Sequence, residues 1–355
     1  MRNQHAMETR PTSTSDVLAL SGRPMRVGLV YETFDTYEAQ PGEPSDAHAE
    51  YEPWATVELL EEALLAQGHQ VVHVGSPHAL LASLAEGSGP SVDVAMNIAE
   101  GFGGRNREAW APILLEMAGI PCLGSDALTL SLSLDKAWAN DRARAGGVPV
   151  APQCLLASAE EAETAPLPSS FPLFVKPRWE GSAKGIRLSS RVEDRAALVE
   201  EVRRVVSDYD QPALVESFLP GAEYTVMVTG HTRCRVWPVL QRALEAESRI
   251  GLHALDHEGP RDWEHVAPGD LSGDLESTLK AWGERIFRVF ECRDFARVDF
   301  RLNSDGDPTF LELNPLPTFA PDGTFGVLAE LEGRPVASLL ADVLEEALAR
   351  VGGPG

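Results

Sequence analysis

The segment Ala296-Arg297-Val298-Asp299-Phe300-Arg301, then a turn, then Thr309-Phe310-Leu311-Glu312-Leu313-Asn314, holds the residue types best suited to chemistry. Side chains on an extended strand alternate faces, so Arg297 and Asp299 share one face, and Glu312 and Asn314 share one. A turn centred on Asp305-Gly306 sets Asp299 opposite Glu312 and Arg297 opposite Asn314. Two carboxylates and an amide oxygen are hard donors that suit magnesium, with water and nucleotide phosphates completing its shell. The arginine suits a developing anion. A cross-strand charge ladder on a solvated hairpin fits the same four residues. Against it, Val298, Phe300, Leu311 and Leu313 are expected to bury the opposite face, and facing carboxylates repel unless a cation lies between them.

Phosphate handling also needs cations and backbone donors. Lys176, closing the apolar run 171–175, and Lys136 upstream can supply charge, although a lysine at a strand end is commonly a solvated terminus. Glu180-Gly181-Ser182-Ala183-Lys184-Gly185 combines small residues, N–H donors and a lysine. That composition fits a phosphate flap or an ordinary hairpin turn. Glu216 and Glu223 stand at the ends of two β-like runs, either facing one cleft to hydrogen-bond an adenosine or lying exposed. No Walker loop, Rossmann glycine fingerprint, zinc signature or nucleophile elbow occurs, and Gly101-Phe102-Gly103-Gly104 lacks the third glycine spacing of a dinucleotide site.

The elements that must position these residues follow from periodicity and punctuation. A strand at 25–31, an acidic turn-rich loop at 32–51, a helix opened by Pro53 and closed by Gly68, a strand at 70–74, a helix capped by Ser76 and a strand at 92–98 predict a parallel α/β domain over residues 25–125. Residues 1–24 are expected to be a disordered extension. A helix over about 108–118 follows the glycine cluster, and another runs from behind Ser125 to Gly146-Gly147. An extended linker at 148–152, a strand at 171–176, the loop 178–185, a strand at 186–189 and a helix from 192 to about 209 make a small central lobe, 126–212. Residues 213–355 read as a third lobe: β-like runs at 213–219, 223–229 and 233–241, a polar loop at 242–268, a helix to Phe290, the hairpin and two closing helices.

At 355 residues the chain exceeds one core's usual size, so two or three lobes are expected. Its 43% hydrophobic and 24% charged residues are those of an ordinary soluble protein, and no apolar run approaches a bilayer's thickness. A net charge of −24 argues against nucleic-acid or membrane partners. Cys122, Cys154, Cys234 and Cys292 lie far apart, which reads as four small buried hydrophobes in a reducing cytoplasm.

Laid out in order, these residues resemble the D-alanine:D-alanine ligase family of the ATP-grasp superfamily, from about Val92 to the C-terminus. Leu132-Ser133-Leu134-Asp135-Lys136 with Gly147-Val148-Pro149-Val150-Ala151-Pro152, Phe174-Val175-Lys176-Pro177 with Glu180-Gly181-Ser182, Leu214-Val215-Glu216 with Gly221-Ala222-Glu223-Tyr224-Thr225-Val226, and Arg297-Val298-Asp299 with Glu312-Leu313-Asn314 match jointly and in sequence. The resemblance implies an α/β ATP-grasp fold: a parallel N-terminal domain, a small central lobe and a C-terminal antiparallel-sheet lobe. It implies ATP contacts from Lys136, Lys176, Glu180, Gly181, Ser182, Glu216 and Glu223. Asp299, Glu312 and Asn314 would hold two magnesium ions, manganese being the substitute. Arg297 would stabilise the tetrahedral intermediate, and Ser182 would stand at the substrate mouth.

The implied reaction is ADP-forming ligation of a small carboxylate to an amine through an acyl phosphate, in a cytoplasmic protein that the family makes a homodimer. Departures fall at the substrates. Tyr31-Glu32-Thr33-Phe34-Asp35 and the acidic insertion replace the family's glycine-serine-glutamate loop, leaving Glu32 as the nearest substitute. Glu100 stands where the family has a histidine, and Thr318 lies in Pro315-Leu316-Pro317-Thr318-Phe319 where it has small residues and a glycine. Arg249 or His253 can replace the missing tyrosine and lysine of the 242–268 loop. A ligase acting on something other than D-alanine is therefore expected first, with an authentic D-alanine:D-alanine ligase and an ATP-binding relic without catalysis as alternatives.

Overall fold

A computed structural model describes residues 23–39, 41–101, 103–258, 269 and 271–352. The expected disordered extension, 1–24, lies almost wholly outside the described residues, and Phe102 and residues 259–268 lie wholly outside them.

The described residues form three sheets. The first is parallel, in the order β2-β1-β3-β4, from Arg26–Val30 (β1), Gln70–Gly75 (β2), Val94–Asn97 (β3) and Cys122–Leu123 (β4). Trp54–Ala66 (α1), Pro77–Ala85 (α2) and Trp110–Met117 (α3) connect these strands. Parallel neighbours need such crossovers. Ser76 caps α2 by accepting from the Ala79 N–H, with Pro77 at the first helical position, where its missing donor costs nothing.

Between this sheet and the next, the single helix expected after Ser125 is two: Ala127–Leu134 (α4) and Lys136–Ala145 (α5). Asp135 breaks them, with an extended backbone and a carboxylate that accepts from the Trp138 N–H at 3.2 Å. Its oxygens also take Arg178 Nε at 2.8 Å and Trp179 Nε1 at 3.1 Å. The break starts α5 at Lys136.

The central sheet is antiparallel, ordered β5-β8-β6-β7: Gln153–Leu156 (β5), Leu173–Pro177 (β6), Arg191–Val192 (β7) and Ala213–Ser217 (β8), backed by Ala159–Thr164 (α6) and Arg195–Tyr209 (α7). Here the strand expected at 186–189 is absent. Residues 188–190 form a 3-10 turn closed by the Ser190 hydroxyl, which accepts from Arg187 N, and pairing with β6 begins at Arg191. β8, grouped by sequence with the third lobe, is hydrogen-bonded between β5 and β6.

The third sheet has the order β10-β9-β12-β13, from Glu223–Gly230 (β9), Cys234–Val236 (β10), Asp294–Leu302 (β12) and Pro308–Asn314 (β13), with Leu240–Arg242 (β11) also on β9. The run expected at 233–241 is split into β10 and β11 at Trp237-Pro238, since proline has no N–H for a ladder. One face of this sheet buries Val226, Val298, Phe300, Phe310 and Leu313 against Gly273–Val289 (α8) and α5. The other packs on Thr324–Leu331 (α9) and Val336–Gly352 (α10), whose cluster runs on into α1 and the parallel sheet. Among the described residues no helix is long and apolar enough to cross a membrane.

Phe300 is fully buried at the centre of that hairpin face. Phe300→Ala should lower stability by about 3–5 kcal/mol through lost burial and the cavity left, measured as a shift in the first urea transition. A shift below about 1 kcal/mol would mean that the sheet does not rest on this face.

Candidate active site

Residues from the central and third sheets, and from the segments that follow β1 and β3 in the parallel domain, line one cavity of about 490 Å³. Its floor is the β12–β13 hairpin, where Arg297 pairs with Asn314 and Asp299 with Glu312 in the expected register. A bulge follows at Asp299/Phe300, so Phe310 rather than Leu311 stands opposite Phe300. Phe310 is therefore buried, and Leu311, expected in the core, is half-buried and lines the cavity. Arg297 Nε donates to Asp299 Oδ2 at 2.9 Å and its Nη2 lies 3.5 Å from Glu312 Oε1. Thr225 Oγ1 donates to Asp299 Oδ1 at 2.7 Å, and Asn314 Nδ2 to Glu312 Oε1 at 3.3 Å.

This is no solvated ladder, since Asp299 is 4% exposed. Burial, with the Glu312 charge beside it, raises the Asp299 carboxyl above its usual range despite Arg297. Burial pushes Glu312 up too, but Lys136, Arg297 and Lys176 outweigh it and hold that carboxyl at about 2. The pair is short of positive charge on the Asp299 side. Among the described residues no three His, Cys, Asp or Glu side chains converge into a metal cage. Two carboxylates and an amide suit instead an ion that takes its other oxygens from water and phosphate.

Lys176 and Glu216, on adjacent strands β6 and β8, are both buried and 2.8 Å apart, which excludes a solvated strand end for either. Lys136 donates to the Glu180 carbonyl and lies 3.9 Å from Glu312; burial lowers its pKa, against the pull of Glu312. Glu223 is buried, 3.4 Å from Arg301 and 3.5 Å from His253 Nε2. Burial and the Arg242 charge bring His253 down to about 3, so at neutral pH that last contact is not an ion pair. Arg249 is held by Pro220 O, and only His253 of the two expected loop residues lines the cavity. Phe174, Phe218, Ile186, Ile250 and Ala254 give the glutamate end an apolar slot.

Over this end lies the 180–185 loop, with Ser182 and Ala183 at φ of +44° and +57° and Gly185 at +77°. Ser182 is exposed at the cavity rim. A carboxylate unforeseen from sequence secures the loop. Glu50, fully buried, takes both Arg107 Nη2 at 2.7 Å and Lys184 Nζ at 2.8 Å, and its Oε1 accepts the Gly181 N–H at 2.5 Å. Lys184 also meets Glu180 at 2.5 Å. Upstream, Asp46 accepts from the Gly185 N–H and the Tyr209 hydroxyl, each at 2.8 Å. Burial alone would raise the Glu50 carboxyl, yet Arg107 and Lys184 hold it at about 2. The acidic insertion is thus a clasp between the N-terminal domain and the loop.

Of the residues expected at the substrate end, Glu100 and Thr318 line the cavity and Glu32 does not. Glu32 is buried, accepting from the Gly101 N–H at 3.0 Å. Thr318 Oγ1 donates to Glu52 Oε2 at 3.1 Å. Glu50, Glu52, Arg107 and Glu108 were missed, and Lys184, read from sequence as the lysine of a phosphate flap, is instead buried against Glu50. Their signal was weak: acidic residues in a turn-rich loop, and partners separated by up to 134 positions.

A model of the D-ala D-ala ligase C-terminus matches residues 144–345. The D-alanine--D-alanine ligase of Geotalea uraniireducens is 30% identical over 259 residues, 73% of this chain and 78% of that protein. Protein y4sG of Sinorhizobium fredii is 30% identical over 323 residues, 86% of this chain and 91% of its own. In fold, the VanG D-Ala:D-Ser ligase of Enterococcus faecalis is similar with a TM-score of 0.68 at 17% identity, over 92% of this chain and 100% of that one.

Glu50→Gln should cost about 3–5 kcal/mol, because it strands two buried cations. A carboxyl held below its unfolded value stabilises fully above that value, so the wild type should lose this contribution as pH falls from about 4.5 towards 2. Acid titrations followed by tryptophan fluorescence should show the variant losing less over that window. Equal stability and equal acid sensitivity would remove the clasp.

Proposed function

The chain belongs to the D-alanine:D-alanine ligase family of ATP-grasp enzymes, and from that premise we propose that it joins two amino-acid-like substrates, at least one other than D-alanine, with ATP and magnesium. The observation that carries this reading is the convergence of Arg297, Glu312 and Asn314 with Lys136 and Lys176 in one cavity beneath a glycine-containing loop, with Asp299 paired to Glu312 and bonded to Arg297 behind them.

Lys176 and Lys136 lie where they can meet phosphate oxygens, and the loop around Gly181 and Ser182 offers donors above them. The apolar slot suits an adenine, with Glu216 and Glu223 at its edge for polar contacts. Asp299, Glu312 and Asn314 would hold the magnesium, which when bound neutralises phosphate charge during phosphoryl transfer. Arg297, anchored by Asp299, presents a guanidinium where an oxyanion would develop as the amine attacks an acyl phosphate. Ligation then releases phosphate.

The relatives include a D-alanine ligase, so an authentic one is the second reading. Glu100 and Thr318 at the substrate end favour a different pocket. The same proposal takes small carboxylate and amine partners, a cytoplasmic setting, a homodimer, and working lobes of 25–125, 126–217 and 218–355, the second boundary following β8.

The test supplies ATP, magnesium and pairs of D- and L-amino acids, following ADP and product mass. A productive pair should give a product one water lighter than its sum, and Asp299→Asn and Glu312→Gln should each cut kcat by about 10³-fold or more. Turnover of D-alanine alone, above all other pairs, would establish the second reading. ATP binding without turnover of any pair would leave a nucleotide-binding relic. Lys176→Met should raise KM for ATP about tenfold or more while leaving the fold's circular dichroism intact; an unchanged KM would remove Lys176 from the nucleotide.

A further inference from the structure

The two sides of the cavity differ in how their charges are answered. On the nucleotide side Lys136, Lys176, Arg297 and Arg301 each face a carboxylate, with Glu312, Glu216, Asp299 and Glu223 as partners. The opposite wall carries Glu52, Glu100 and Glu108. Glu108 is 8% exposed, and among the described residues neither it nor Glu100 makes a hydrogen bond or ion pair. The cation whose charge acts on both is already engaged: Arg107 donates to Glu50 through Nε and Nη2, and through Nη1 to the Trp179 carbonyl at 2.8 Å. Among the described residues the Glu52 carboxylate is met by the neutral hydroxyls of Thr56 and Thr318 alone.

A buried carboxylate without a counter-charge is costly, and it relieves that cost by taking up a proton or a cation. Burial, reinforced by the charges of Glu50, Glu108 and Glu52, lifts the Glu100 carboxyl well above its usual range. Burial likewise takes Glu108 up to about 7 against the pull of Arg107.

Resting on the ligase reading above, we propose that Glu100 and Glu108 are specificity residues for a substrate carrying a second, basic nitrogen, as in a diamino acid. An ammonium brings three donors and no acceptor, so it can satisfy both carboxylates at once. A neutral chain of equal length would leave both carboxylates without a partner. A site built around a polar group discriminates strongly against analogues lacking it.

The experiment uses the full chain with ATP and magnesium. Nucleotide binding is measured first with a fluorescent ATP analogue. Lysine, ornithine, 2,4-diaminobutyrate and 2,3-diaminopropionate of both hands are then compared, alone and in pairs, with norleucine, norvaline, 2-aminobutyrate and alanine. The wild type should favour a diamino substrate over its neutral counterpart by about 10²-fold or more in kcat/KM. Glu100→Gln and Glu108→Gln should each erode that preference about tenfold or more through KM for the amine, with KM for ATP unchanged. Because neither carboxylate has a partner to lose, the Tm of each variant should not fall.

Turnover of neutral pairs without a diamino preference would overturn this inference and leave the ligase reading standing. Retained preference in both variants, or loss of their fold, would overturn it too, the latter by making the carboxylates structural. If no pair turns over, calorimetry with the four diamino acids on the nucleotide-loaded protein decides: heat with a wild-type preference supports the inference, and no heat ends it. Failure to bind nucleotide would end the ligase reading itself.

Discussion

A carboxylate sealed from water needs positive charge at contact distance, and Glu50 draws that charge from two regions far apart in the chain. Arg107 comes from the segment behind β3, and Lys184 from the loop after β6. Meeting at one carboxylate brings the parallel domain and the central lobe together over the cavity. Asp46 repeats the connection at Gly185 and Tyr209. Gln211 on the Glu180 carboxylate and Arg204 on the Gly185 carbonyl hold the same loop from the central lobe, and between these anchors its backbone occupies left-handed conformations at two non-glycine residues.

The other half of the site is held differently. Asp299 and Glu312 stand on neighbouring strands whose apolar sides lie in the molecule's second core, so their separation is set by the hydrogen-bond ladder rather than by salt bridges. The bulge after Asp299 lets Phe310 and Leu313 both reach the core while Glu312 and Asn314 keep the cavity side. A stiff floor under a clasped cover suits chemistry in which charged groups must be positioned and water excluded.

Much of this was readable from local pattern. The hairpin register followed from strand alternation and one Asp-Gly turn, and the first domain from its caps and apolar runs. Lys136 and Lys176 were picked out by type and position, although only packing distinguishes a buried lysine from a solvated one. What stayed hidden was non-local or geometrical. Asp135 splits a helix because Arg178 and Trp179, over forty residues away, claim its carboxylate. The stretch 186–189 has strand-like residues, yet a serine hydroxyl closes it into a turn. Glu50 looked like one acid among many because its role depends on partners 57 and 134 positions downstream.

Gly181 approaches Glu50 so closely that a Cβ there would lie 2.5 Å from the carboxylate oxygen. Loop and insertion therefore constrain each other's evolution: neither can drift alone, because a changed loop leaves a sealed charge unanswered and a changed insertion leaves the loop's lysine without its anion. A chimera that borrows either piece from a relative must borrow both, together with the arginine that completes the set.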